Sequence, residues 1–250
     1  MEYTSIIIYA SIGLLSGFMG GMFGMGGGTV RIPLLYLAGL PLLGAFAINL
    51  FVIPFSSLVG AISHRRNIDK KVAIYVIIGG TLGSAIGAFF VGFIPTLILA
   101  IIFMALAVIT VSAMYLDRIA PKFASKINPS PKVILTISFF LNLISGMRGG
   151  SGGSLFSAFL RAVKLNIHRA IATSLFATIF TALAGLMVYW HRGNIIWLPA
   201  LCVVISSVVG VRVGSMVSLK TKSARLEMGL AILVVGLAFI TVYKALWGEG

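Results

Sequence analysis

Apolar residues run along this chain in long blocks, broken by short polar or glycine-rich interruptions. Eight blocks are long: 5–22, 42–63, 72–93, 96–116, 132–147, 170–190, 195–217 and 225–247. Two are short, 29–39 and 154–164. As helices rising 1.5 Å per residue, blocks of about 20 residues cross the hydrocarbon layer, whereas about 11 residues reach only half way. The blocks are too long and too evenly apolar for the alternating strands of a barrel, so helices must satisfy the backbone in lipid. The pattern predicts an all-α integral membrane protein.

Each short block follows a glycine-rich loop, "GMGGG" at 24–28 and "GGSGG" at 149–153, 125 positions apart. Other pairs recur at nearly that offset: "HRRNI" (64–68) with "HRGNI" (191–195), Gly83 and Gly87 with Gly210 and Gly214, "LLSG" (14–17) with "LISG" (143–146). A fixed offset marks a duplicated unit. The expected halves are 1–116 and 132–250, joined by a linker over 117–131. Each holds a glycine-tipped hairpin with one long and one short limb, then three transmembrane helices. If the short limb returns toward the side it came from, each half makes an odd number of crossings, and the two repeats have inverted topology.

Charge supports that folding pattern. Under it, one face receives Arg65, Arg66, Lys70, Lys71, Arg118, Lys122, Lys126, Lys132, Arg161, Lys164, Arg169, Lys220, Lys222 and Arg225, fourteen of the nineteen basic residues. Simple alternation of eight helices nearly erases the bias. The positive-inside rule then puts the basic loops in the cytoplasm of a plasma membrane, with both termini outside. Only 10% of residues are charged and 59% are hydrophobic, against about 25% charged in soluble domains. The net charge of +14 is split among short loops, which suits anionic lipid and excludes nucleic acid as a partner. The opening "MEYTS" has no basic residue and no cleavage site follows, so the first span is expected to be retained. Cys202 is the only cysteine; it forms no internal disulfide and is expected to be a small core residue.

Candidate chemistry gathers at the interruptions. Bare backbone N–H groups at a helix start form an anion cradle, here Gly26, Gly27, Gly28, Gly150, Gly152 and Gly153. Thr29, Ser151 and Ser154 add hydroxyls. Arg31 and Arg148 flank the two tips, and Arg212 lies mid-span. A charge at the bilayer centre costs at least about 2.5–3.5 kcal/mol, and no acid lies nearby in sequence. A bound oxyanion would supply the missing charge, and guanidinium fits it well. Asn49 and Ser174 are polar positions paired at the 125 offset, as are Ser56 and Thr181; they either line a cavity or join helices. The GxxxG pairs at 83/87 and 210/214 read as packing. His64 and His191 read as loop or interface residues, and scattered histidines make no metal site. No nucleophile–base set, nucleotide loop or cofactor motif occurs, so no enzyme and no cofactor are expected.

The glycine loop repeated in each half, the "HRRNI" and "HRGNI" segments and the length resemble the TauE/SafE sulfite exporter family, also called the 4-toluene sulfonate uptake permeases. The second loop departs from the first: Ser151 interrupts its glycines and nothing matches Pro33. The resemblance implies a transporter of small sulfur-containing oxyanions. Together these readings predict a secondary transporter working by alternating access, with export favoured. An anion channel and an ion- or proton-coupled sulfonate uptake permease stay open as alternatives, as do substrate and oligomeric state.

Overall fold

The computed structural model describes residues 3–91, 93, 95–115, 130–150 and 153–247. Most of the expected linker and the candidate residues Ser151 and Gly152 lie outside these, as does the side chain of Ser154. Among the described residues there is no strand. The helices are α1 (Tyr3–Phe23), α2 (Gly28–Leu37), α3 (Leu42–Ser63), α4 (Lys70–Phe89), α5 (Thr96–Met114), α6 (Pro131–Gly146), α7 (Gly153–Ala162), α8 (Ile167–His191), α9 (Trp197–Lys220) and α10 (Ser223–Trp247). Of these, α1, α3, α4, α8 and α9 are each long and apolar enough to cross a membrane. The two short blocks became α2 and α7, of ten residues each.

Local chemistry sets the helix starts. The Asp69 carboxylate accepts from the Val72 N–H to open α4, Ser130 does the same for Val133 of α6, and Asn166 for His168 of α8. These are side-chain N-caps, which satisfy N–H groups that have no partner within the helix. In α2 the N-cap is Gly27, left-handed at φ 76°, which offers no side chain.

Glycine ladders hold the bundle together. Gly13, Gly17 and Gly21 of α1 lie against Val203, Ser207 and Val211 of α9, so closely that a Cβ at any of them would strike that helix's backbone. Gly210 and Gly214 of α9 press equally closely on Leu14 and Phe18. A second pair of helices, again one from each half of the chain, repeats the device: Gly79, Gly83 and Gly87 of α4 meet Leu135, Phe139 and Leu143 of α6. Lipid is as apolar as a side chain, so membrane helices associate through such close packing rather than through hydrophobic burial.

The rising order of these contacts gives helix direction. α1 runs parallel to α9, and α4 parallel to α6. Gly44 meets Ile196 and Gly60 meets Val211, so α3 runs with α9; Gly80 meets Thr181 and Gly185 meets Ser84, so α8 runs with α4. Gly185 packs on Leu50 while Gly60 packs on Leu175, making α3 and α8 antiparallel. Helices α1, α3 and α9 therefore point one way and α4, α6 and α8 the other. Ion pairs gather at the end where α8 starts: Arg169 with Asp69 at 2.9 Å, and the half-buried Arg161 with Glu227 at 2.8 Å.

Candidate functional site

The first hairpin turns at Gly24, Gly26 and Gly27, all with positive φ, and sends α2 back along α1. The second turns at Gly149, φ 63°. The two turns meet inside the bundle. A Cβ on Gly153 would lie 2.9 Å from the Met25 carbonyl and 3.1 Å from Thr178 Oγ1.

Arg31 stands at this joint, one turn into α2, fully buried. Its Nε donates to Ser16 Oγ (3.2 Å), Nη1 to Asn49 Oδ1 (2.8 Å) and to the Gly26 carbonyl (3.5 Å), and Nη2 to Ser207 Oγ (2.9 Å). Every acceptor is neutral. The acids among the described residues, Asp69 and Glu227, are engaged by other arginines. The guanidinium is hydrogen-bonded but its charge is not balanced by a carboxylate, an expensive arrangement in low dielectric. Close by in sequence, the buried Thr29 hydroxyl has no partner.

Asn49 extends the cluster. Its Nδ2 donates to the Gly149 carbonyl at 2.8 Å, and its amide lies against the bare Gly28, where a Cβ would come within 2.6 Å of Nδ2. Ser174 Oγ donates to the Gly24 carbonyl at 2.7 Å, and Ser157 Oγ to the same oxygen at 3.1 Å. Of the predicted residues, the structure thus joins Gly26, Gly27, Gly28, Arg31, Asn49, Ser174 and Gly153 around the paired turns. Arg148 and Gly150 sit partly buried in the second turn. Ser16, Ser157, Thr178 and Ser207 complete the cluster; sequence reading missed them as site residues, although Ser16 lies in the repeated "LLSG".

One expectation fails. Arg212 does not face a central cavity: it is exposed, and its Nη1 donates to Ser63 Oγ at 2.8 Å. The long stem carries the charge along the outside of the bundle to the end of α3. His64, read as a loop or interface residue, lies just beyond α3 before the Arg65–Asn67 turn, and there it is buried. His191, the last residue of α8, is exposed, with Nδ1 at 2.9 Å from the Met187 carbonyl.

Burial, and then the field of His168, pushes the His64 pKa down to about 4, with the Gly21 backbone opposing in part. A depressed imidazole stays neutral in the fold while the unfolded chain takes up its proton near 6.5. Its contribution to stability is therefore present above that value and lost as pH falls toward 4. Thermal unfolding in detergent is expected to shift downward between pH 6.5 and 4, and His64→Gln to flatten that dependence; parallel curves for both proteins would remove His64 as the cause.

The position matching Arg31 in the second half, 125 residues on, is Phe156, fully buried. Where Ser207 faces Arg31, the residue 127 positions earlier is Gly80, and a Cβ there would be 3.3 Å from the Phe156 ring. Only one of the two matched positions carries a charge.

Helices of spanning length, glycine turns meeting inside their bundle and a charge sealed among them define a polytopic membrane protein with a polar joint in its interior. The chain belongs to the sulfite exporter TauE/SafE family, whose pattern it matches over residues 9–241. It is 25% identical to a Bacillus subtilis protein named "Probable membrane transporter protein YunE", over 97% of this chain and 99% of that one. A second B. subtilis protein of the same description, YdhB, is 25% identical over 84% and 87% of the two chains. A Methanocaldococcus jannaschii protein so described is 25% identical over 90% and 92%. No solved structure matches the chain. The chain is thus a membrane transporter of the TauE/SafE type, with a small-molecule substrate and a lipid bilayer around it.

Proposed function

We propose that this protein is a secondary transporter of small sulfur-containing oxyanions, built from two inverted repeats that alternate access to a site at the paired glycine turns. The observation that carries the reading is Arg31: a fully buried guanidinium whose partners are all neutral. A monoanion docking there balances the charge, and guanidinium presents paired N–H groups of the right geometry for an oxyanion. The uncapped start of α2 and the unpartnered Thr29 hydroxyl offer further donors. Arg148 is the second candidate ligand; Arg212, turned outward, is not one.

The repeats' opposite sense is supported by the helix directions, since matched helices α1 and α6, α3 and α8, and α4 and α9 run oppositely. A site sealed from solvent suits a carrier in an occluded state better than an open channel. Among the described residues, Lys70 and Lys71 at the start of α4, Arg169 of α8, and Lys220 at the end of α9 gather where α8 starts, and the positive-inside rule turns that end to the cytoplasm of a plasma membrane. Export of an anion from a cell negative inside then runs downhill by about 2.3 kcal/mol per charge per 100 mV. In proteoliposomes, sulfite or a small sulfonate is expected to move at rates that depend on protein and rise with a driving potential. Flux of cations with none of sulfite, sulfate or methanesulfonate would overturn the reading.

A further inference from the structure

Asn49 and Ser174 occupy the same place in the two halves, 125 positions apart, and both are fully buried. Each donates to a backbone carbonyl in a glycine turn, and each to the turn of the other half: Asn49 to Gly149 and Ser174 to Gly24. A buried turn carbonyl outside a helix ladder needs a donor. These two donors exist only while the halves are docked in this arrangement. Asn49 also carries the Nη1 bond of Arg31 on its other amide atom, so guanidinium, amide and opposing turn form one chain of hydrogen bonds. Of the five guanidinium N–H groups, the neutral acceptors Ser16, Gly26, Asn49 and Ser207 engage four. An oxyanion binding through two of them must displace at least one acceptor.

We propose that Asn49 and Ser174 are positioning residues, a reciprocal pair of latches holding each half's glycine turn against the other half, and that an anion arriving at Arg31 releases the Asn49 latch. Only the second clause rests on the function proposed above. The anion takes Nη1 from Asn49 Oδ1; the amide loses the bond that orients it, the Gly149 carbonyl loses its donor, and the second hairpin is free to shift. Matched latches of different chemistry give the turns different triggers: Asn49 is tied to the charge, Ser174 is not.

The test uses the full chain in proteoliposomes on a Cys202→Ser background, with no oxyanion present. One reporter is Ser145→Cys, whose backbone carbonyl accepts from Arg148 and Gly150 of the second turn; the other is Met25→Cys, buried in the first. A small permeant thiol reagent reads the opening of each turn. Asn49→Asp keeps an acceptor for Arg31 but cannot donate to Gly149; it is expected to speed labelling at 145 about five- to tenfold and leave 25 within about twofold. Ser174→Ala is expected to do the converse, by about threefold, because Ser157 still donates to Gly24. Added sulfite is expected to speed labelling at 145 in the protein with Asn49 intact. Should the Asp variant fail to fold, Asn49→Ala is read at the same reporters. Unchanged labelling in both folded variants, or equal acceleration at both reporters, overturns the latches. Turns that open in the variants but ignore sulfite overturn the trigger and keep the latches, whereas failure of the transport reading appears separately as absent oxyanion flux.

Discussion

Arg31→Gln is expected to abolish oxyanion flux, by at least about a hundredfold, in a protein that still folds. Glutamine reaches some of the same neutral acceptors, Ser16, Asn49 and Ser207, so part of the hydrogen bonding survives. Removing a buried charge that no carboxylate balances recovers several kcal/mol of desolvation cost, which offsets the bonds lost by a charged donor at about 1.5–3 kcal/mol each. Stability is therefore expected to stay within about 2 kcal/mol of the starting protein. Transport is different, because an anion in the Gln variant is a buried charge without a counter-charge, a loss of about 3–5 kcal/mol for removing one partner of a buried pair. Arg31→Lys keeps the charge without the planar fork and is expected to retain about a tenth of the flux. Parallel flux and thermal-unfolding measurements check this. Full flux in Arg31→Gln would remove the guanidinium from the mechanism, and a protein that unfolds would make Arg31 a structural clamp.

The second large effect falls on the glycine ladders. Gly214→Val places a Cβ against the Phe18 carbonyl, and Gly83→Val against the Phe139 carbonyl. Both obstacles are backbone, so neither can be relieved by a rotamer change, and the helix pair must move apart along its length. Overpacking typically costs about 1–3 kcal/mol; with backbone on both sides, each change is expected to reach or exceed the top of that range. The measurement is monodisperse yield and unfolding temperature in detergent. Gly236→Val is the control, since a Cβ there meets nothing within 4 Å. Tolerance of valine at 83 and 214 equal to that at 236 would show that the close approach carries no energy.

Much of this was legible in the chain itself, for identifiable reasons. Uniform apolar blocks specify spans because lipid leaves the backbone no alternative, and the observed α3, α8 and α9 fall within a few residues of the expected blocks. The glycine turns were visible because few residues other than Gly reverse a chain so tightly. Asn49 and Ser174 stood out as a repeated polar pair, but their partners did not, since a backbone carbonyl leaves no mark in a sequence. Ser16 and Ser207 passed unnoticed because a serine in a membrane helix ordinarily bonds its own backbone, as Ser16 also does to Gly13 at 3.3 Å. Arg212 was misread because depth along a span says nothing about which side of the helix a residue occupies. The burial of His64 was hidden by its neighbours Arg65 and Arg66, which advertise a watery loop.

The unequal pair Arg31 and Phe156 has a consequence for the working cycle. A carrier assembled from two like parts would treat the two sides of the membrane alike if its chemistry were duplicated along with its scaffold. With the proposed anion docked at Arg31, its charge is tethered to one part only, so loading from one compartment and unloading into the other would be physically distinct events. On that proposal the two faces differ in how tightly the anion is held before release, while the ratio of forward to backward flux stays set by the gradients across the membrane.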